Sequence, residues 1–149
     1  MKNIPFLFVF ALLLSFLMPA AQAQSSPDRV TITAILVVAG KNPAKPDPRL
    51  SAYETTLRRV LRFEGFQWLN QATLDLAIPG SGKLALGSGQ RLEIKTEPAS
   101  GQRRVQVSWF EGDRSLMNTG LVLRPGVPAV LGGPAKAEGE VYAVIVTAD

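Results

Sequence analysis

The sequence RVTITAILVVA at residues 29–39 decides the fold class of this chain. Its first half alternates apolar residues with threonine, a period of two that is typical of a β-strand with one solvated face. Its second half, residues 35–38, is apolar at every position, which is typical of a strand covered on both faces. Residues 141–146, VYAVIV, show the same behaviour near the other end of the chain. We therefore expect the first and last strands to be interior strands that lie close to each other.

Three segments between these two strands also alternate with a period of two. Short stretches rich in Gly, Pro and acidic residues separate them, and short strands at such spacings are typical of a sandwich or barrel. The sequence predicts a mainly β fold, an antiparallel β-sandwich of about seven to eight strands that forms a single domain over residues 24–149. The alternating apolar residues are Leu74, Leu76 and Ile78, then Leu92 and Ile94, then Val105, Val107 and Trp109; the predicted turns lie at residues 87–89, 99–101, 111–113 and 125–126.

Residues 48–62 depart from this pattern because their apolar residues recur at helical spacing. Asp47 can accept hydrogen bonds from the free N–H groups of the first turn, where Pro48 is also well placed. Gly65 is expected to end the segment. We therefore expect one amphipathic helix, about residues 48–62, packed on a sheet face, where it would cover the apolar half of the first strand. Its apolar residues are Leu50, Tyr53, Leu57, Val60 and Leu61.

Residues 1–23 are typical of a cleavable signal peptide. Lys2 precedes a stretch, residues 6–18, that is apolar except for Ser15, and Ala21-Gln-Ala23 has the small-x-small pattern of a cleavage site. The apolar stretch is shorter than the roughly 20 residues that span a bilayer, so an uncleaved anchor is the less favoured alternative. We expect export to the periplasm or outside the cell, in a bacterial envelope, with no transmembrane segment after cleavage.

The composition excludes several kinds of chemistry. The 149 residues include no Cys and no His, and the formal net charge is +4. Disulfides, thiolate or His-based nucleophilic catalysis, and His- or Cys-ligated metals are therefore excluded. We predict no cofactor, no metal site and no catalytic residue. We also expect no nucleic-acid partner, because the aromatic residues do not alternate with the basic ones.

Two weaker enzymatic signals also favour a structural interpretation. Residues 79–83, PGSGK, resemble a phosphate loop only briefly, since Ala77 and Leu84 stand where that motif needs Gly and Ser or Thr, so we expect a plain turn. Ser81 and Lys83 lack the Ser-x-x-Lys spacing of a hydrolase. The acidic residues that could form a catalytic pair are expected to be solvated surface charges: Asp75, Glu93, Glu111 and Asp113.

Basic residues provide the best candidate contact surface. Arg58, Arg59 and Arg62 lie on the polar side of the predicted helix with Arg49, although Glu54 four residues before Arg58 also fits ordinary helix stabilisation. Phe110 is expected to point outward or towards the helix if Trp109 points into the core. Residues 130–134, VLGGP, are a candidate edge strand that could accept a partner strand or be guarded by its Pro. The candidate partner contacts are Arg58, Arg59, Arg62, Arg103, Arg104 and Phe110.

These features lead to three hypotheses about function. The first is a non-catalytic, exported binding or assembly module of the bacterial envelope, acting through contacts with an envelope protein. The second is a peripheral binder of anionic lipid or polysaccharide that uses the Arg-rich helix face. The third is a hydrolase based on carboxylates or on Ser and Lys, which the sequence favours least.

Overall fold

The computed structural model describes residues 28–41, 45–98 and 103–149. The predicted signal peptide and the turn at residues 99–101 lie outside this part of the chain. Within it, eight strands and one α-helix follow one another, with a short 3-10 helix before the α-helix. They are β1 Arg29–Gly40, the 3-10 helix Pro48–Leu50, α1 Glu54–Leu61, β2 Gly65–Ala77, β3 Gly80–Gly87, β4 Gln90–Glu97, β5 Arg103–Glu111, β6 Arg114–Leu123, β7 Ala129–Ala137 and β8 Glu140–Ala148.

The strands form two four-stranded sheets whose paired strands are all antiparallel. Sheet A has the order β2-β1-β8-β7, and sheet B has the order β3-β4-β5-β6. The predicted antiparallel β-sandwich is therefore confirmed. The first and last strands are paired neighbours inside sheet A, as their apolar sequences indicated.

A single apolar core fills the space between the sheets. It takes alternate residues of each strand, as a pleated strand with one inward face requires. Trp109 is completely buried in this core, and its indole N–H donates to Gln90 Oε1 at 2.7 Å. The expectation that Trp109 is a core residue is confirmed. Other fully or nearly fully buried members are Ile32, Leu36, Leu86, Leu92, Ile94, Val107, Val144 and Val146.

A second apolar cluster lies on the outer face of sheet A, beneath the helix. Ile35 and Val37 of β1 contribute to it, together with Ile145 of β8. Leu57 of α1 is 0% exposed there. Because the helix covers only the second half of β1, that half is apolar on both faces, whereas Thr31 and Thr33 lie outside the helix-covered cluster.

The helical segment differs in detail from the prediction. It consists of two pieces, the 3-10 helix and the eight-residue α1, rather than one helix over residues 48–62. Asp47 caps the first piece as expected, accepting from the Arg49 backbone N–H at 3.0 Å. The α-helix ends at Leu61, one residue from the predicted end, and its C-cap Arg62, rather than Gly65, takes the left-handed conformation, with φ 55°. Gly65 already belongs to β2, where it pairs with Gly40, so the chain has to reverse before it.

The two lateral sides of the sandwich differ. On one side, β2 and β3 pack together: Asn70 Nδ2 donates to the Leu86 carbonyl at 3.0 Å, and a Cβ added to Gly82 would lie 2.6 Å from Leu74 Cδ2. The expected plain turn at residues 79–83 is wrong in part, because β3 already begins at Gly80. On the opposite side, β6 and β7 are the edges of their sheets and have no hydrogen-bonded strand between them.

Candidate protein-contact surfaces

The residues proposed from the sequence as partner contacts lie in separate places. The three helix arginines are over the outer face of sheet A. Arg103 and Arg104 begin β5 in sheet B, opposite Leu123 and Val122 of β6. The structure therefore brings the two arginine groups to different sheets and does not form one continuous basic stripe.

Two of the four guanidinium groups near the helix are paired with carboxylates of the same chain. Arg58 Nη2 lies 2.6 Å from Glu54 Oε1, which confirms the helix-stabilising pair. Arg49 Nη2 lies 2.7 Å from Asp47 Oδ2, and its guanidinium lies 5.0 Å from the centre of the Trp68 ring. Hydrogen bonds from Arg49 hold the pKa of Asp47 below its ordinary value. Partial neutralisation of this kind weakens the attraction of the helix face for a polyanion.

Arg59 and Arg62 are the exposed helix cations that remain. Among the described residues, neither of them forms an ion pair. Val60, between them in sequence, is 49% exposed. The C-terminal end of α1, together with its C-cap Arg62, therefore presents two cations beside an apolar side chain to solvent.

The outer face of sheet B is polar. Phe110 lies on this face, which is the outward one of its two expected positions, but it is only half-exposed and the Arg91 guanidinium stands 4.7 Å from its ring centre. One of the ring faces is therefore already occupied by a cation of the same chain. A shallow depression of about 450 Å³ lies across the middle of this face, lined by polar side chains: Ser81, Lys83, Glu93, Lys95, Gln106 and Ser108.

Asp75 and Glu93, two of the candidate carboxylates, do not converge. Asp75 is on the outer face of sheet A, where the Thr31 hydroxyl donates to it, and Glu93 is on the outer face of sheet B, 3.5 Å from Lys83 Nζ. A carboxylate pair for glycoside hydrolysis has to flank one bond, roughly 5–9.5 Å apart. Asp75 and Glu93 point away from opposite sides of the sandwich, so this pair does not meet that geometry.

No group of three or more acidic side chains that could hold a metal ion occurs within the described residues. In residues 28–41, 45–98 and 103–149, no helix has both the length and the apolar character that a membrane crossing requires.

Strand β7, which contains the candidate edge at residues 130–134, is an edge strand of sheet A. Its pairing with β8 is interrupted twice, between Gly132 and Ala135 and between Ala135 and Ala137. Pro134 cannot donate a backbone hydrogen bond, and Lys136 adds a charge. Bulges, prolines and lysines are the features by which natural edge strands avoid pairing with another chain, so β7 is a guarded edge.

Strand β6 is the edge that sequence reasoning missed. It pairs only with β5, and residues 115–123 contain neither a charged residue nor a proline. Val122 is 45% exposed on its outer side. An edge strand leaves alternate backbone N–H and C=O groups unpaired, which makes a template for another strand. The uncharged run SLMNTGLVL was the available signal, but the sequence alone did not place it at an edge.

No family model matches the chain, and neither a curated protein nor a solved structure shows a significant match to it.

Proposed function

We propose that this chain is a non-catalytic, exported binding or assembly module of the bacterial envelope, and that it binds protein by accepting an extended segment along β6. The observation that carries this proposal is the edge of β6, whose pairing is interrupted only once, at Leu116, and which has neither a charge nor a proline over residues 115–123. Export is supported by the signal-like residues 1–23.

Strand addition suits β6 for two reasons. Main-chain hydrogen bonds along the edge supply affinity without requiring a deep pocket, and alternate side chains of the added strand give specificity. The other lateral side of the sandwich is unsuitable, since β2 and β3 cover each other there. On the β6 side, the pairing of the neighbouring edge β7 is interrupted twice and the strand contains Pro134, whereas the pairing of β6 is interrupted once, which leaves β6 as the more regular edge.

The alternative, binding to an anionic lipid or polysaccharide, depends on the helix arginines. Arg58 and Arg49 already neutralise carboxylates of this chain, so the alternative rests on Arg59 and Arg62. A double variant, Arg59→Glu with Arg62→Glu, serves as its test and as the control for the β6 proposal. Retention of the wild type on phosphatidylglycerol vesicles, and its loss in this variant, would favour the surface-binding alternative.

Proline substitution on β6 tests strand addition. Successive N–H groups of a strand point to opposite sides, so either Asn118→Pro or Thr119→Pro removes an outward N–H without disturbing the ladder with β5. The two variants are compared by thermal unfolding, and the more stable one is the outward-proline variant. We expect the tagged wild-type chain to co-purify one stoichiometric protein from its own envelope, with slowed amide exchange in β6. The outward-proline variant should not co-purify this protein.

The helix double variant should retain the same protein. A complex that survives the outward proline, or that leaves amide exchange in β6 unchanged, would contradict the proposal.

A further inference from the structure

We infer that the strand which adds to β6 is β6 of a second copy of this chain, so that two sandwiches join edge to edge through a continuous eight-stranded sheet. This inference rests on the proposed strand addition and names its partner. It is carried by two features of β6 and its ends, the alternation of its side chains and the position of its charges.

The alternation of side chains restricts how two copies of β6 can pair. Residues directly opposite each other in an antiparallel pair lie on the same face of the sheet. Thr119 pairs with the inward Val107 and so shares the inner face, whereas Asn118 and Gly120 pair with Ser108 and Gln106 of the outer face. The two-fold axis that relates the two copies must therefore place one residue of β6 opposite the same residue of the second copy. An axis between two neighbouring residues would instead place inner side chains opposite outer ones.

Thr119 is the middle residue of the uncharged run 115–123. With the axis beside Thr119, Asn118 lies opposite Gly120 of the second copy, and Met117 lies opposite Leu121, each pair on one face. The ladder between β5 and β6 has one irregularity. Trp109 pairs with Met117, but the next residue of β5, Phe110, pairs with Ser115, so Leu116 is an extra residue in β6.

Beyond Leu116, the same register places Ser115 opposite Val122 of the second copy, again on the outer face. The exposed Val122 is thus covered at the junction. One step further, Arg114 lies opposite Leu123, and the next opposed residues are Asp113 and Arg124.

The charges at the two ends of β6 match this register. Asp113 stands before β6 and Arg124 directly follows it, and both are exposed. Among the described residues neither has an ion-pair partner. Antiparallel pairing places each Asp113 beside Arg124 of the other copy, twice per dimer. Parallel pairing would instead oppose arginine to arginine. Two antiparallel copies of the β6 edge therefore bring opposite charges together, and their opposed side chains lie on the same face of the sheet.

Charge exchange at these two positions tests the inference on the purified full chain. We expect sedimentation velocity to show a concentration-dependent dimer for the wild type. Asp113→Arg and Arg124→Asp should each weaken self-association by about tenfold, because each variant replaces two attractive pairs with two like-charge pairs. Mixing the two variants should restore association as a 1:1 heterodimer, since every opposed pair then has opposite charges. Arg59→Asp is the matched control, and it should associate like the wild type.

The outcomes separate this inference from the proposed function. A chain that stays monomeric at all accessible concentrations, or a dimer indifferent to both charge variants, overturns the second copy as the partner. If such a monomer still captures another protein in a manner that depends on the outward proline of β6, strand addition survives with a different partner. If the proline affects neither self-association nor capture, both proposals fail.

Discussion

Replacing Gly133 with alanine should destabilise the sandwich at the place where β7 crosses the buried tryptophan. A Cβ added at this position would lie 2.1 Å from Trp109 Cη2 and 2.7 Å from Cζ3. Carbon atoms pack best at about 3.5–4.0 Å, so the ring or the strand has to move by about 1.4 Å or more. Trp109 is fully buried and held by its hydrogen bond to Gln90, which leaves the indole little freedom to move.

The expected loss follows from this overlap. Adding a methyl group to a well-packed core costs about 1–3 kcal/mol, and occasionally more. For a domain of this size, each kcal/mol corresponds to about 3–5 °C in Tm. We therefore expect the Gly133→Ala variant to unfold about 3–15 °C below the wild type, measured by circular dichroism during heating, with a changed near-ultraviolet signal from Trp109.

Gly132→Ala is the matched control. Its added Cβ would meet only the end of the Leu61 side chain, at 3.4 Å, and the backbone φ of neither glycine lies in the left-handed region. Removing a glycine from the unfolded chain stabilises by about 0.4–1 kcal/mol where the native backbone suits alanine. The Gly132→Ala variant should therefore unfold at the wild-type temperature or slightly above it. Equal Tm values for the two alanine variants would refute the close approach of β7 to Trp109.

Three further predictions concern other parts of the fold. In urea unfolding, Leu57→Ala should lose about 2–5 kcal/mol because its side chain joins the helix to sheet A, whereas Val60→Ala on the exposed side should stay within about 0.5 kcal/mol of the wild type. Trp109→Phe leaves the buried Gln90 Oε1 without its donor, so at least about 1–3 kcal/mol should be lost in the same assay; wild-type stability would contradict the buried bond. The hydrogen bonds from Arg49 lower the pKa of Asp47 below its ordinary value of 3.8. The Asp47 carboxylate therefore stabilises the fold at pH values above 3.8, and this stabilisation is lost as the pH falls through the lowered pKa. The Tm difference between wild type and Asp47→Asn should thus be present at neutral pH and shrink in acid below pH 3.8; a difference independent of pH would contradict the ion pair.

Much of the fold could be predicted from the sequence because burial leaves a local pattern. Strands with one buried face alternate with a period of two, and the segment 35–38, apolar on both faces, correctly indicated a strand between a core and a covering helix. The break in the helical segment could not be predicted in this way. The apolar residues keep helical spacing from Leu50 to Leu61, so nothing in the pattern marks the interruption at residues 51–53. The end of the helix near residue 62 was predicted, and the chain leaves the helix there because Gly65 has to pair with Gly40 in sheet A.

The candidate contact surfaces were only partly predictable. Composition identified the arginines, but whether a guanidinium is available depends on which carboxylate it meets in space. The pair between Arg58 and Glu54 is local and could be anticipated, whereas the position of Arg49 over Trp68 joins residues from different elements. Phe110 was expected to point outward or towards the helix, and only the structure shows that it lies on the outer face of sheet B. Arg91 beside its ring comes from the neighbouring strand and leaves no signal near residue 110.

By itself, the sequence determined the class of fold, the interior place of the first and last strands, and the absence of cysteine and histidine chemistry. These follow from residue types and from short-range periodicity, which each segment carries whatever its neighbours are. The sequence also indicated an edge at residues 130–134, in β7. Only the tertiary structure decided that β6 is an edge and that its pairing is interrupted less often than that of β7. Strand order is made by backbone hydrogen bonds between distant segments. Since every residue except proline has the same backbone donor and acceptor, the side chains of a strand without proline, such as β6, do not show whether it lies at an edge.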